Sequence, residues 1–248
     1  MDIKACIFDI FGTCVDWRSS ASRDLAQWCG ANGIGAGKDG ASAVDWLQFT
    51  VEWRKLYQPS MEEVRSGRRA WTILDVLHRE SLDKLVAKFN VRGPGGRALT
   101  EGELDYMNRA WHRLAPWPDV VEGLRRMKPK LILSPCSNAN ISLMVHMARH
   151  NGFPWDCILG AETARAYKPM PEAYASACRL LSLPPAQVMM VAAHNGDLAA
   201  AKAQGLSTGF VARPTEYGPG QTSDLAPDPK VVDVAAADFI ELAAKLGC

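Results

Sequence analysis

An α/β fold, with an open parallel sheet and an all-helical block inserted near its start, is what this 248-residue sequence predicts. Three observations carry that expectation. From Pro116 onward, short β-type runs alternate with helical ones, the pattern of a parallel sheet joined by right-handed crossovers. Residues 17–114 carry helical spacing and no convincing strand. The apolar run KACIFD, residues 4–9, is a natural first strand separated from the others by that block. The expected domains are therefore a core of residues 1–16 and 115–248 and a helical domain of residues 17–114.

Within the helical block, SSASRDLAQWCGANG (19–33), SAVDWLQFTVEWRKLY (42–57) and AWTILDVLHRESLDKLVAKF (70–89) repeat apolar residues at helical intervals. Thr100 and Glu103 in TEGEL have capping-box spacing, which predicts a further helix running to about Leu114. Gly30 to Gly40 and RGPGG (92–96) read as loops, and the block as a bundle. In the core, KLILSP (130–135) reads as a strand and NANISLMVHMARHNG (138–152) as a helix ending at glycine. CILG (157–160) is a weak strand, and PEAYASACRLLSL (171–183) a helix with Pro171 at its start. QVMMVAA (187–193) is a strand, and DLAAAKAQG (197–205) a helix closed by Gly205. TGFVAR (208–213) and KVVDVA (230–235) are the last strands, with a Pro- and Gly-rich surface loop, 214–229, between them.

Composition is that of a globular protein, 48% hydrophobic and 22% charged, and the net charge is +1. Such a balance gives no reason to expect nucleic acid or an anionic membrane as a partner. The start, MDIKAC, lacks the pattern of a signal peptide, and no apolar run approaches the roughly 20 residues of a membrane span. Seven cysteines without C-x-x-C pairs cannot all pair within the chain, so reduced thiols in the cytoplasm are expected. The five histidines show no metal-ligand spacing.

In open parallel sheets, ligands bind beyond the carboxyl ends of the strands. Four polar clusters fall there: Asp9 to Thr13, Ser137 with Asn138, Lys168, and His194 to Asp197. Taken singly they are ordinary turn, cap or surface residues; their recurrence along one alternating pattern points to a site. Asp9 is the sharpest of them, because a carboxylate closing a buried strand costs several kcal/mol unless something compensates its charge.

These residues give the chain its resemblance to a known family. FDIFGT (8–13), LAPWPDV (114–120), CSN (136–138), YKPMPEAY (167–174) and AAHNGD (192–197) resemble the successive motifs of the haloacid dehalogenase superfamily, most of all its type II 2-haloacid dehalogenase branch. The resemblance spans nearly the whole chain and implies a Rossmann-like core with an inserted all-helical cap. Phosphatases of the superfamily carry a second aspartate two places after the nucleophile, as acid for the leaving alkoxide; here Phe11 stands there. Halide needs no proton to depart. The last motif holds one carboxylate, Asp197, so hard-cation binding is poorly supported and neither metal nor other cofactor is expected.

The resemblance implies hydrolytic dehalogenation of short 2-haloacids such as haloacetates and 2-halopropionates. Asp9 would displace halide to form an ester, which water then cleaves, inverting an L-haloacid to a D-hydroxyacid. Lys168 would keep Asp9 ionised. The backbone N–H groups of Ile10 and Phe11, with Ser137, would hold the substrate carboxylate, while Asn138 and Arg54 receive the halide. Thr13 either bonds the nucleophile's loop or stabilises a turn. Trp71 is a wall of the halide pocket or simple core, and Tyr174 orients Lys168 or the substrate, or simply packs its helix. Type II enzymes often read Ser-Ser-Asn-x-Trp-Asp where this chain has AAHNGD. His194 there is either a base for ester hydrolysis or a structural histidine, and its bulk would narrow the site toward small substrates. Asn195 is a stand-in for the missing asparagine or a turn residue, and Asp197 would pair with Lys168 or orient water. A homodimer is an assembly the family allows. Two other readings stay open: a Mg²⁺-dependent phosphohydrolase, and a non-catalytic member that binds a small acid or a protein.

Overall fold

The computed structural model describes residues 1–36 and 43–248. Of the expected Gly30 to Gly40 loop, residues 37–40 lie outside the described residues. Two compact units form, one of Met1–Asp16 with Ala115–Cys248 and one of Trp17–Leu114.

The first unit is built on a parallel sheet of six strands: β1 (Ala5–Phe8), β2 (Ile132–Ser137), β3 (Leu159–Gly160), β4 (Val188–Ala192), β5 (Ser207–Val211) and β6 (Val234–Ala236), in the order β3-β2-β1-β4-β5-β6. The α/β class read from alternation is thus the class that forms. All four residues of β1 are buried, as expected of a central strand covered on both faces. Phe8 pairs with Pro135 of β2 on one side and Val191 of β4 on the other. The chain leaves β1 toward β2 and β3, then returns to its other flank with β4, so the order reverses at β1. A crevice opens at such a switch point, beyond the strands' carboxyl ends. Asp9 is the next residue, and its backbone N–H still donates to Val191 O at 2.9 Å.

Helices α1 (Trp17–Ala31), α2 (Trp46–Arg65), α3 (Leu74–Lys88) and α4 (Glu101–Asn108) make the helical unit. The core carries α5 (Val120–Met127), α6 (Ile141–Asn151), the single turn α7 (Ala161–Ala164), α8 (Pro171–Leu181), α9 (Asn195–Lys202) and α10 (Phe239–Lys245). Ala173, Tyr174 and Ala177 of α8 and Leu198 and Ala201 of α9 pack with Ile7, Val188, Met190 and Phe210 of the sheet in one apolar cluster. Across α5, Gly123 admits α10 so closely that an added Cβ would lie 2.4 Å from Phe239 Cβ.

Several elements depart from their predicted limits. Helix α2 runs past Pro59 to Arg65, because its buried stripe of Phe49, Trp53 and Tyr57 continues to Met61. The capping box of Thr100 and Glu103 forms, yet α4 ends at Asn108 and Arg109–His112 tightens into a 3-10 turn rather than helix to Leu114. The last strand is Val234–Ala236, not 230–235: Val231 and Val232 donate their N–H groups to Asp228 O in a turn, and pairing with β5 begins only at Val234. Among the described residues no helix is long and apolar enough to cross a membrane.

Candidate active site

The turn after β1 is closed by two N–H groups, those of Cys14 and Val15, which both donate to Ile10 O. Ile10 and Phe11 are buried within it. This turn brings Thr13 back onto the residue that precedes it. Thr13 Oγ1 donates to Asp9 Oδ2 at 2.7 Å and accepts the N–H of Ala193 at 2.9 Å. One hydroxyl therefore ties the carboxylate to the loop that follows β4.

Lys168 arrives from the segment between α7 and α8. Its backbone N–H donates to Asn138 Oδ1 at 2.7 Å, which anchors it to the end of β2, where Ser137 Oγ accepts the N–H of Ala139. The Lys168 ammonium donates to Asp9 Oδ1 at 2.9 Å and to Asp197 Oδ2 at 2.5 Å. Asp197 sits in the first turn of α9, and its other oxygen accepts the Tyr174 hydroxyl from α8 at 2.5 Å. His194, just before α9, places Nδ1 3.2 Å from Asp9 Oδ2 and Nε2 2.8 Å from Glu216 Oε2.

Burial would by itself raise the pKa of Asp9, but Lys168 and His194 outweigh it and hold the carboxyl well below the usual range. Burial also works against the Lys168 ammonium; Asp197 and Asp9 overcome it and push that pKa well above the ordinary value. Burial lowers His194, yet hydrogen bonds to Asp9 and Glu216 raise it to about 10. Geometry says the same: both ring nitrogens face carboxylates, and only imidazolium can donate from both. Burial and the nearby Asp197 carboxylate keep Tyr174 protonated as the donor. Burial pushes the neighbouring Cys136 thiol up to about 12, so it does not compete as a nucleophile.

The result is an ionised, nearly dry carboxylate at a sheet switch point, fixed by a lysine, an imidazolium and a hydroxyl. Such a group can attack an electrophile that brings its own leaving group. A family model for haloacid dehalogenase-like hydrolases matches residues 3–205. The chain belongs to that family. This hydrolase is 44% identical to a defluorinating L-2-haloacid dehalogenase of known structure, covering 99% of this chain and 96% of the other with a TM-score of 0.89. A second solved structure, of an L-2-haloacid dehalogenase, is also 44% identical, with 98% and 99% covered and a TM-score of 0.87. Among curated relatives, an (S)-2-haloacid dehalogenase from Xanthobacter autotrophicus is 28% identical over 216 residues, 85% of this chain and 76% of the relative.

Of the residues singled out in the sequence, the core of the hydrolase brings together Asp9, Thr13, Lys168, Tyr174, His194 and Asp197, with Ser137 and Asn138 at the adjoining strand end. Asn195 is engaged elsewhere: its amide nitrogen donates to Asp224 Oδ1 and Ala226 O, and its oxygen accepts the N–H of Asp228. It holds a loop, the turn-residue alternative. His194, for which base and structural roles were both open, faces a carboxylate from each ring nitrogen and is charged in the resting protein. Arg54 and Trp71 belong to the helical unit, where the Arg54 guanidinium lies 4.1 Å from the Tyr57 ring and Trp71 is half-buried.

The loop 214–229 was expected at the surface, yet Glu216 within it is 1% exposed. Gly12 makes room for it: at φ +92°, a Cβ there would stand 2.0 Å from Glu216 Oε1. Arg213 steadies the same stretch, with Nε donating to Thr13 O at 2.9 Å and both terminal nitrogens to Asp119. Glu216 follows the carboxyl end of β5, so the strand-end rule that singled out the other clusters could have found it.

Proposed function

We propose that this hydrolase cleaves the carbon–halogen bond of short L-2-haloacids and haloacetates through an ester on Asp9. The observation that carries the reading is the Asp9 carboxylate itself, stripped of water, held ionised by Lys168, and followed by Phe11 where a phosphatase needs an acid. The names of the relatives point to the same substrates.

In this reading Asp9 Oδ1, which accepts one hydrogen bond against two at Oδ2, attacks carbon 2 and halide leaves with the bonding electrons. Desolvation and fixed placement make a weakly basic carboxylate effective, since orientation alone can supply about 7–11 kcal/mol. The turn of Ile10 and Phe11, with Ser137, holds the substrate carboxylate, and Asn138 handles the halide. Tyr174 and Asp197 keep Lys168 aimed at Asp9. Water then attacks the ester carbonyl, and Asp9 is restored. The enzyme works in the cytoplasm, with its thiols reduced, as a homodimer.

The deciding experiment is a halide-release assay on haloacetates and both 2-chloropropionate enantiomers, with and without EDTA. Halide release from chloroacetate and the L enantiomer, unaffected by chelator, is expected. Phosphate release from phosphomonoesters that EDTA abolishes, without halide release, would overturn the assignment.

A further inference from the structure

Glu216 has no role in the chemistry described so far, yet it is built into the site. Its carboxylate lies against Gly12 and accepts from His194 Nε2 at 2.8 Å, while Nδ1 on the opposite side of the ring faces Asp9. Its backbone N–H donates to Arg213 O at 3.3 Å, and Arg213 is pinned to Thr13 and Asp119. A carboxylate that is 1% exposed and so fixed acts on the ring as an aspartate does in a catalytic triad, by choosing which nitrogen keeps its proton.

We propose that Glu216 is a positioning residue for ester hydrolysis: by accepting the Nε2 proton of His194, it leaves Nδ1 as the atom that takes a proton from water. This rests on the Asp9-ester reading above. In the resting enzyme His194 is imidazolium between two carboxylates. The other charged groups near it are Lys168, which shares Asp9, Asp197 in the first turn of α9, and Asp224, which accepts from Asn195 N–H.

Alkylation turns Asp9 into a neutral ester, and halide departs. Nδ1 loses its anionic partner and gives its proton to solvent; Glu216 retains the one on Nε2. Water then bonds through oxygen to the ester carbonyl carbon as Nδ1 accepts its proton. The tetrahedral intermediate breaks its bond to the oxygen on substrate carbon 2, and that oxygen takes the proton back from Nδ1, releasing the 2-hydroxyacid. The new Asp9 carboxylic acid ionises and passes its proton to Nδ1, which restores the imidazolium. One proton, one halide and one hydroxyacid leave per turnover.

The test uses chloroacetate with the wild type, Glu216→Gln and Glu216→Asp, following chloride by rapid quench and the protein by mass spectrometry. In Glu216→Gln, a first burst of about one chloride per enzyme persists, a carboxymethyl adduct accumulates on the peptide containing Asp9, and kcat falls roughly 100-fold. By ¹⁵N-histidine NMR, His194 in resting Glu216→Gln titrates about 1 to 3 pH units below the wild type. If the glutamine variant does not fold, Glu216→Asp shows the same split between intact burst and slowed turnover. Wild-type turnover in the folded variants, or equal loss of burst and steady state, overturns this role alone. A wild type that releases no chloride from any haloacid overturns the proposed function, and this role with it.

Discussion

Lys168 and Asp9 form a buried ion pair, Nζ to Oδ1 2.9 Å, with side chains only 8% and 10% exposed. The same ammonium serves Asp197, so two carboxylates from different strand ends share one cation. Removing one partner of such an arrangement leaves charge in a place with little water, which costs more than the pair is worth.

Replacement of Lys168 by methionine keeps the volume and removes the charge. It is expected to destabilise the fold by about 3–5 kcal/mol and to lower kcat/KM for halide release at least about 100-fold. The depressed pKa of Asp9 contributes stability above its unfolded value, lost as pH falls through the folded one. Without Lys168 the acid limb of kcat/KM therefore moves upward in pH. A variant with the wild-type acid limb would show that Lys168 is not what holds Asp9 ionised.

Thr13 makes a different kind of link, between Asp9 and the N–H of Ala193. Valine at this position has nearly the same shape and no hydroxyl. It leaves the Ala193 N–H buried without that acceptor, at about 1–3 kcal/mol, and frees the carboxylate to turn. Thr13→Val is expected to lose both stability and activity, and Thr13→Ser to keep most of each. Denaturant titration with halide-release kinetics separates the two effects; equal behaviour of valine and serine would contradict the bridging role.

His194 links stability to alkaline pH. Its pKa is raised to about 10 in the fold from an ordinary value of 6.5. A raised pKa contributes stability that is complete below the unfolded value and is lost as pH rises through the folded one. The stability difference between wild type and His194→Asn should then be largest near pH 6.5 and shrink, by on the order of a few kcal/mol, toward pH 10. Urea titrations at pH 6.5, 8 and 10 measure it. A difference that stays constant would mean His194 is neutral in the fold.

What the sequence could and could not reveal divides along local and tertiary lines. Asp9, Lys168 and Asp197 each follow a strand or open a helix within a few residues of their own motif, so spacing alone brings them to notice. Glu216 also follows a strand, β5, but its loop has the composition of solvent-exposed chain, and its burial depends on the bare Cα of Gly12 in a remote turn. His194 was visible, but its charge was not, because the second carboxylate facing it is that same Glu216. Likewise α2 passes Pro59 because Met61 finds a buried place, and β6 starts late because β5 sets its partner residues. Local signals see neither.

Gly12 offers the most direct test of that dependence. Its φ of +92° is a conformation other residues reach only with strain, and a methyl group there would meet Glu216 Oε1 at 2.0 Å. Gly12→Ala is expected to cost about 1–3 kcal/mol for the backbone alone, with a further loss as the Glu216 carboxylate is driven out of place. Shortening Glu216 to alanine removes the obstacle but not the strain. The double variant Gly12→Ala with Glu216→Ala should therefore be more stable than the sum of the two single effects predicts, by about 0.5–3 kcal/mol, the range found for residues in contact. Denaturant unfolding of all four proteins measures that coupling. Simple additivity would mean the carboxylate can leave Gly12 without cost, and the turn after β1 would not be what holds Glu216 against His194.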